Sequence, residues 1–488
     1  MDDFLIERTT LKRNFHKTTF HPANPVLRPD KPWEQKNHPA KTAGKAAAMV
    51  FSGGVFFDPE DSLFKVWYMS GYGLDRALAV SRNGVHWEKP LRDVVPGTNV
   101  VSPGLCDTAV FWLDLETKDR GQRFKMWRED EGKSGMGLYY SADGVHWGKE
   151  VARTGRTPSP STVFWNPFRK VWVYSVRFSD SAIGRYRRYW ETRDAAADID
   201  WDHFARPEIG PGGKGPRRIP LWVCADEKDP PYPGTNARSE IYNLDAVGYE
   251  SVMLGLFSML RGRLDGRPKI KEIVAGFSRD GFHWHRPLRE PIIGVDPDDD
   301  KAWNAGNMQS AGGCVLLVGD ELYFYVSGRS GLPGEQVCTT GLAVLRRDGF
   351  ASMDAEAAEG ELTTRPVTFG GRYLFVNVDA DAGELRAEVL DESGAVIPGF
   401  SRDRCVPVRV DRTLAEIRWK DDEDLSIVAG RVVRFRFILR HGRLYSFWVS
   451  PERSGASFGY VGAGGPGFPG SRDTVGEASY RAAASLKR

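Results

Sequence analysis

Ser81-Arg82-Asn83-Gly84-Val85-His86-Trp87, Ser141-Ala142-Asp143-Gly144-Val145-His146-Trp147 and Ser278-Arg279-Asp280-Gly281-Phe282-His283-Trp284 are three copies of one pattern, S-x-[DN]-G-x-H-W. Repetition of this kind decides the architecture before any single motif is interpreted. An Asn-Gly or Asp-Gly pair suits a tight hairpin turn, because both turn positions tolerate positive φ. The runs before the three copies, residues 77–80, 137–140 and 274–277, read as strands. Each copy is therefore expected to be the turn of an outer hairpin.

Working outward, a second hairpin stands upstream of each copy and recurs where the pattern has decayed. Inner segments lie at 54–59, 109–114, 162–167, 246–251 and 313–318, and returning strands at 64–68, 124–127, 171–174, 253–257 and 322–326. The third unit closes on a weakened copy between Thr192 and Trp201, and the fifth on Arg347-Asp348-Gly349-Phe350. Four strands repeated in five units read as a five-bladed β-propeller over 46–355; the alternative is a two-sheet sandwich. Beyond it, alternation at period two in 373–378, 384–390, 432–439 and 444–448 predicts a β-sandwich over 356–451. Residues 1–45 read as a Pro-rich arm packing on the propeller, and 452–488, rich in Gly, Ser and Ala, as a flexible tail.

A chain of 488 residues is too long for one ordinary core, in keeping with two units plus tails. Lys and Arg number 67 against 65 Asp and Glu, a net charge of +2, which argues against a protein built to neutralise nucleic acid. No apolar run is long enough to cross a bilayer, so no membrane partner is expected. The start, Met1-Asp2-Asp3-Phe4-Leu5-Ile6-Glu7-Arg8, places acids where a signal peptide needs basic residues. A cytoplasmic protein is expected, or a secreted or periplasmic one whose signal has been removed. Cys106, Cys224, Cys314, Cys338 and Cys405 are scattered without zinc spacing and read as reduced and mostly buried. No nucleotide or redox cofactor motif is present; Gly210 to Gly215 reads as a loop without the flanking strand and helix of a phosphate site.

The blades followed by a sandwich resemble the five-bladed propeller glycoside hydrolases, the invertase-like fructosidases and the arabinanase and xylosidase enzymes. The resemblance spans roughly residues 45 to 450. Stretches such as Tyr174-Ser175-Val176-Arg177, Gly184-Arg185-Tyr186-Arg187-Arg188-Tyr189-Trp190-Glu191 and Leu362-Thr363-Thr364-Arg365-Pro366 look like those of uncharacterised bacterial hydrolase-like propellers. The turn pattern also resembles the Asp-box of sialidases, which have six blades; in either group it is structural. The fructosidase signature W-M-N-D-P-N-G is absent, and Asp58 of Phe57-Asp58-Pro59 is expected to be a hairpin residue. The first blade therefore lacks the acid that these relatives carry at the funnel mouth. Some of them hold calcium in the funnel, and the sequence leaves that open; no cofactor is otherwise expected.

In a propeller the inner strands converge on an axial funnel, and the strand alignment places Ser52, Asp107, Pro160, Leu244 with Asp245, and Gln309 to Ser310 at its mouth. Glycoside hydrolysis needs two carboxyl groups flanking the bond. The assignment is Asp107 as base or nucleophile, Glu240 as general acid, and Asp245 as a neighbour that orients substrate or raises the acid's pKa. The alternative is that Asp107 and Asp245 cap strand ends and Glu240 is a solvated loop residue.

Returning strands place Arg128, Glu129, Arg177 and Arg329 around the rim. These arginines either grip the carboxylate or sulfate of an acidic sugar or pair with acids between blades, Glu129 among them; Arg185 and Arg187 carry the same ambiguity. His21 and Trp33 in the arm, and Trp303, are candidates to fold over the opening and stack on sugar. The functional expectation is a glycosidase of poly- or oligosaccharides, exo-acting, with a non-catalytic glycan-binding propeller as the alternative and a protein-interaction scaffold as a third reading. The sequence is silent on oligomeric state.

Overall fold

The computed structural model describes residues 3–39, 44–203, 219–235, 237–264, 266–332, 334–422 and 424–486. The glycine stretch 210–215 and the first two residues lie outside them. Five successive antiparallel sheets make up the larger unit, and each is termed a blade here. Their first, second and third strands are Gly44–Asp58, Leu63–Ser70 and Asp75–Ser81; Ala109–Leu113, Phe124–Glu129 and Met136–Ser141; Thr162–Asn166, Val171–Asp180 and Gly184–Thr192; Glu240–Glu250, Val252–Arg263 and Lys269–Ser278; and Gly306–Ser310, Glu321–Ser330 and Gln336–Arg346. Val100–Ser102, Ala152–Arg153 and Leu221–Val223 complete the first three blades. The fifth is completed from the other end of the chain, where Thr19–Phe20 pairs with Ala343 and Val344.

The inner strands form a closed ring, joined at every seam by hydrogen bonds between neighbours. Arg76 Nη2 donates to the Asp107 carbonyl (3.0 Å), Ser159 Oγ to Asp107 Oδ2 (2.9 Å), and Thr162 Oγ1 to the Leu244 carbonyl (2.7 Å). Ser310 Oγ then donates to Asp245 Oδ2 and Gln309 Nε2 to Ser52 Oγ, returning to the first blade. The backbones of the fifth and first blades also meet, with the Gly312 amide on the Gly53 carbonyl at 2.9 Å. Only glycine allows that approach: a Cβ on Gly312 would stand 2.6 Å from the Gly53 carbonyl.

Aromatic rings fill the space between blades further from the axis. Trp67 stacks on Phe111 (5.6 Å), Trp127 meets Trp172 (5.1 Å), Tyr189 meets Phe282 (4.9 Å), Phe277 meets Phe350 (5.3 Å), and Tyr325 closes against Trp87 (5.6 Å). Each pair adds about 1 kcal/mol beyond its burial.

The S-x-[DN]-G-x-H-W turns are part of these seams. Within each, the serine Oγ accepts from the glycine amide and the Asn or Asp carboxyl or amide oxygen accepts from the next two amides. Each turn also receives a donor from the preceding blade. Tyr325 Oη donates to the Gly84 carbonyl (2.6 Å), Trp67 Nε1 to Gly144 (2.9 Å), and Asn166 Nδ2 to Asp280 (2.9 Å). The repeat is thus inter-blade mortar.

The sandwich comprises two sheets over a shared core. One contains Ile6–Thr9, Gly360–Thr364, Arg434–Arg440 and Glu384–Leu390; the other Lys12–Phe15, Ala351–Ala355, Gly442–Ser450, Tyr373–Asp379 and Asp411–Ile417. Val376, Val378 and Ile417 of the second sheet pack with Leu385, Phe435 and Phe437 of the first. Two expectations are corrected here. The start of the arm contributes a strand to each sandwich sheet, because residues 6–15 alternate against edges left open by 351–364. The segment from Glu452 is ordered: Tyr460–Val461 pairs with Tyr249 and Glu250 of the fourth blade, and the helix Glu477–Leu486 follows. Its glycines are needed for close approach, since a Cβ on Gly465 would stand 1.8 Å from the Leu317 carbonyl. Among the described residues no helix is long and apolar enough to cross a membrane.

Asp58 ends the first inner strand at the face opposite the mouth, as the hairpin reading expects. Its buried carboxylate accepts from Lys65 Nζ (2.6 Å), the Glu60 amide (3.0 Å) and Arg123 of the second blade. Burial pushes its pKa up, but the hydrogen bonds from Arg123 and Lys65 outweigh that and hold it at about 2. A lowered folded-state value stabilises fully above about pH 4 and is lost as pH falls towards 2. Asp58→Asn is expected to cost about 3 kcal/mol at pH 7, with the gap from wild type closing below pH 4. Urea unfolding followed by tryptophan fluorescence reads both, and equal stability at pH 7 would contradict this role.

Candidate active site

One end of the ring gathers the starts of the inner strands, the ends of the second strands and the starts of the third strands. Asp107 precedes the second blade's inner strand, half-buried, and accepts from Ser159 on its Oδ2. Glu240 opens the fourth blade's inner strand. Its Oε2 accepts from the Arg185 amide (3.0 Å) and from Arg185 Nη1 (2.6 Å). Arg177, near the end of the third blade's second strand, feels the charge of both Glu240 and Asp107. Its Nη1 donates to the Ser159 carbonyl. Burial and the neighbouring Arg185 push the Arg177 pKa down.

Buried Phe51 packs with the half-buried rings of Tyr72 and Tyr242 in one cluster. Lys271 Nζ lies 3.7 Å from the centre of the Tyr242 ring and 5.5 Å from that of Phe51. Arg329 lies over Tyr72 (5.1 Å) and Phe51 (6.0 Å), and donates to Tyr72 Oη at 2.9 Å. Lys271 is 0% exposed and reaches Gln309 Oε1 at 3.3 Å. Burial first, then Arg329, Lys269 and Arg185, push the Lys271 pKa well below the usual amine range.

Asp245 occupies a different layer. At 2% exposure it is enclosed beneath the mouth, where it accepts from Asn243 Nδ2 (2.9 Å) and Ser310 Oγ. A group so enclosed does not touch a sugar, and the expectation that it orients substrate is corrected: it ties the fourth blade to the fifth. Burial lifts its pKa to about 6, against the pull of Ser310 and Arg187.

The rim residues divide. Arg177 and Arg329 reach the mouth and form no ion pair with an acid among the described residues. Arg128 turns away to Ser102 and to Asp130 (3.4 Å), with Glu129 beside it near Cys106. Arg187 is wholly buried, its Nη1 donating to the Pro160 (2.9 Å) and Tyr242 (3.1 Å) carbonyls, so it stitches the third blade to the fourth.

The three candidate stacking residues lie elsewhere. Trp303 lies flat on the fifth blade, where a Cβ on Gly341 would stand 2.0 Å from its ring, and its edge meets Phe20 at 5.2 Å. His21 follows the blade-closing strand, its amide on the Leu342 carbonyl (3.0 Å). Trp33 Nε1 donates to Asn99 Oδ1 (3.0 Å), and the adjacent buried Glu34 accepts from Tyr68 Oη (2.6 Å) and Lys89 Nζ (2.8 Å), clamping the arm to the first blade.

Lys269, Lys271, Tyr242, Phe51 and Tyr72 were missed by reasoning from inner and returning strands alone. The lysines stand at alternate positions at the start of a third strand, in Pro268-Lys269-Ile270-Lys271, and that spacing was the available signal. Among the described residues no group of three or more His, Cys, Asp or Glu side chains is placed to hold a metal ion.

No family model and no curated protein matches the chain. Among solved structures it is similar to an N-acetylgalactosamine deacetylase from F. plautii in complex with blood group B trisaccharide, at 13% identity and TM-score 0.43 over 67% of this chain and 97% of that one. It is also similar to a thermostable family-43 glycoside hydrolase (12%, 0.42, 66% and 96%). A third is a fructofuranosidase from Schwanniomyces occidentalis complexed with fructosylnystose (11%, 0.36, 88% and 98%). Likeness of this degree carries no argument about chemistry, which rests on the side chains above.

Because the folded-state pKa of Asp245 is raised, the folded protein holds the proton more tightly than the unfolded chain. Its stabilisation is full below about pH 4 and is lost as pH rises through about 6. The change is on the order of 3 kcal/mol at most. Asp245→Asn is expected to flatten this part of the stability–pH curve, measured by urea unfolding at pH 4 to 7; an unchanged slope would place the proton elsewhere.

Proposed function

We propose that the protein hydrolyses glycosidic bonds at the mouth of the ring, with Asp107 and Glu240 as the carboxyl pair. The observation that carries this reading is that Asp107 and Glu240 both act on Arg177 at one end of the ring, where the Tyr242 ring lies against Arg185. Aromatic faces suit the apolar faces of sugar rings. Two carboxyl groups on opposite sides of a bound sugar supply what glycoside hydrolysis needs. Glu240 protonates the leaving oxygen. Asp107, oriented by Ser159, acts as base or nucleophile. Lys271 and Tyr242 meet below the opening, which supports end-on entry of a chain and hence exo action.

A second reading, a glycan-binding propeller without chemistry, is favoured by one observation: Glu240 Oε2 is already engaged twice by Arg185. The two readings separate in a sugar-release assay over a panel of aryl glycosides and oligosaccharides. Asp107→Asn and Glu240→Gln are each expected to lower turnover by about 10²- to 10⁴-fold with folding intact. Full activity in both would remove the pair from catalysis, and binding without release by the wild type would favour the second reading.

A further inference from the structure

We infer that the sugar bound at this mouth carries an oxyanion, a carboxylate or a sulfate ester, gripped by Arg177, Arg329 and Lys269. The inference rests on the carbohydrate-binding reading above and names its substrate class.

Among the described residues, Arg177, Arg185, Lys269, Lys271 and Arg329 act on one another across the opening. Only Asp107 and Glu240 stand there with opposite sign, and Glu240 is taken up by Arg185. Without Lys271, whose amine is held below its usual range, four cations stand against two carboxylates. Clustered charges removed from water are costly unless paired. Ion pairs neutralise the buried arginines of other seams: Arg123 meets Asp58, and Arg286 meets Asp229 at 2.6 Å. Among the described residues none of Arg177, Lys269, Lys271 and Arg329 forms an ion pair; Arg177 meets the Ser159 carbonyl and Arg329 the Tyr72 hydroxyl. Cation–π contacts with Tyr242, Phe51 and Tyr72 recover about 1 to 2 kcal/mol each, yet leave the charge excess in place.

Hydrogen-bonding capacity points the same way. The Nε atoms of Arg177, Arg185 and Arg329 are buried with no hydrogen-bond partner, and Arg329 as a whole is only 7% exposed. Buried donors are normally satisfied, and a guanidinium fork matches a planar or tetrahedral oxyanion. Asp107 acts on Lys271 as well as on Arg177, so the cations adjoin the carboxyl pair. The anion therefore belongs to the sugar at the bond being cleaved or to its immediate neighbour.

The test is calorimetric binding to full-length Asp107→Asn protein, which separates recognition from turnover. The probes are an oligogalacturonate and its methyl ester, and a sulfated galactan oligosaccharide and its desulfated form. At least one anionic probe is expected to bind tenfold or more tightly than its neutral counterpart, the winning pair distinguishing carboxylate from sulfate. Arg329→Gln is expected to abolish that preference. Lys269→Gln, at a half-exposed position that spares folding, is expected to reduce it about threefold or more. Equal or tighter binding of the neutral probes, or no binding of any probe, would overturn the inference. Anion preference without cleavage by the wild type would instead overturn hydrolysis and leave the inference standing, whereas wild-type cleavage of neutral glycans alone would do the reverse.

Discussion

The belt of hydrogen bonds around the axis is the constraint on which the rest of the molecule depends. Ser52, Asp107, Ser159, Thr162, Asp245, Gln309 and Ser310 are short or polar groups at the narrowest part of the ring, and each spends its hydrogen bonds on a neighbouring blade. Larger apolar side chains would hold the inner strands apart. With the belt in place the strand ends are fixed, and the groups at the mouth inherit their positions from it. Asp107 belongs to both worlds, since its carbonyl receives Arg76, its Oδ2 receives Ser159, and its charge reaches Arg177 and Lys271.

Arginine serves two ends in this ring, and the difference is set by what lies within reach. Arg76 and Arg187 both start from third strands, are wholly buried, and are absorbed by backbone carbonyls of their own and the next blade. Arg177 and Arg329 start two blades apart at the ends of second strands, where the backbone carbonyls nearby are already committed to strand pairing. Their guanidinium groups reach into the opening. Lys271 is the extreme case, an amine held against a phenol ring with burial and three neighbouring cations acting on it.

The architecture was legible because two signals repeated independently: the turn pattern and the hairpin upstream of it. The turn's mechanical role was not, because a local pattern does not reveal that Tyr325, Trp67 and Asn166 of preceding blades would donate into it. Composition misled at both ends of the chain. Residues 6–15 find partners 350 residues away, and the Gly-rich segment after Glu452 uses its glycines for tight packing, not for freedom. At the site, strand ends bring Asp107, Glu240, Arg177 and Arg329 to one end of the ring. Asp245 sits only five residues from Glu240, but a bulge between Ile241 and Asn243 and three further residues of rise carry it beneath the mouth. Tryptophans were the least readable, since Trp33 and Trp303 look alike in sequence to rings that would meet a sugar, and only the neighbouring Asn99 and Gly341 show otherwise.

The strand that completes the fifth blade, Thr19–Phe20, leaves the ribosome more than 300 residues before its partner strand. At about 5 to 20 residues per second, that interval is roughly 15 to 60 s. During that time the first four blades exist as an open arc, with an inner edge exposed at each end. The arm must stay unpaired throughout, and the Tyr460–Val461 segment that braces the fourth blade is made later still. Ring closure is therefore a late event of biosynthesis.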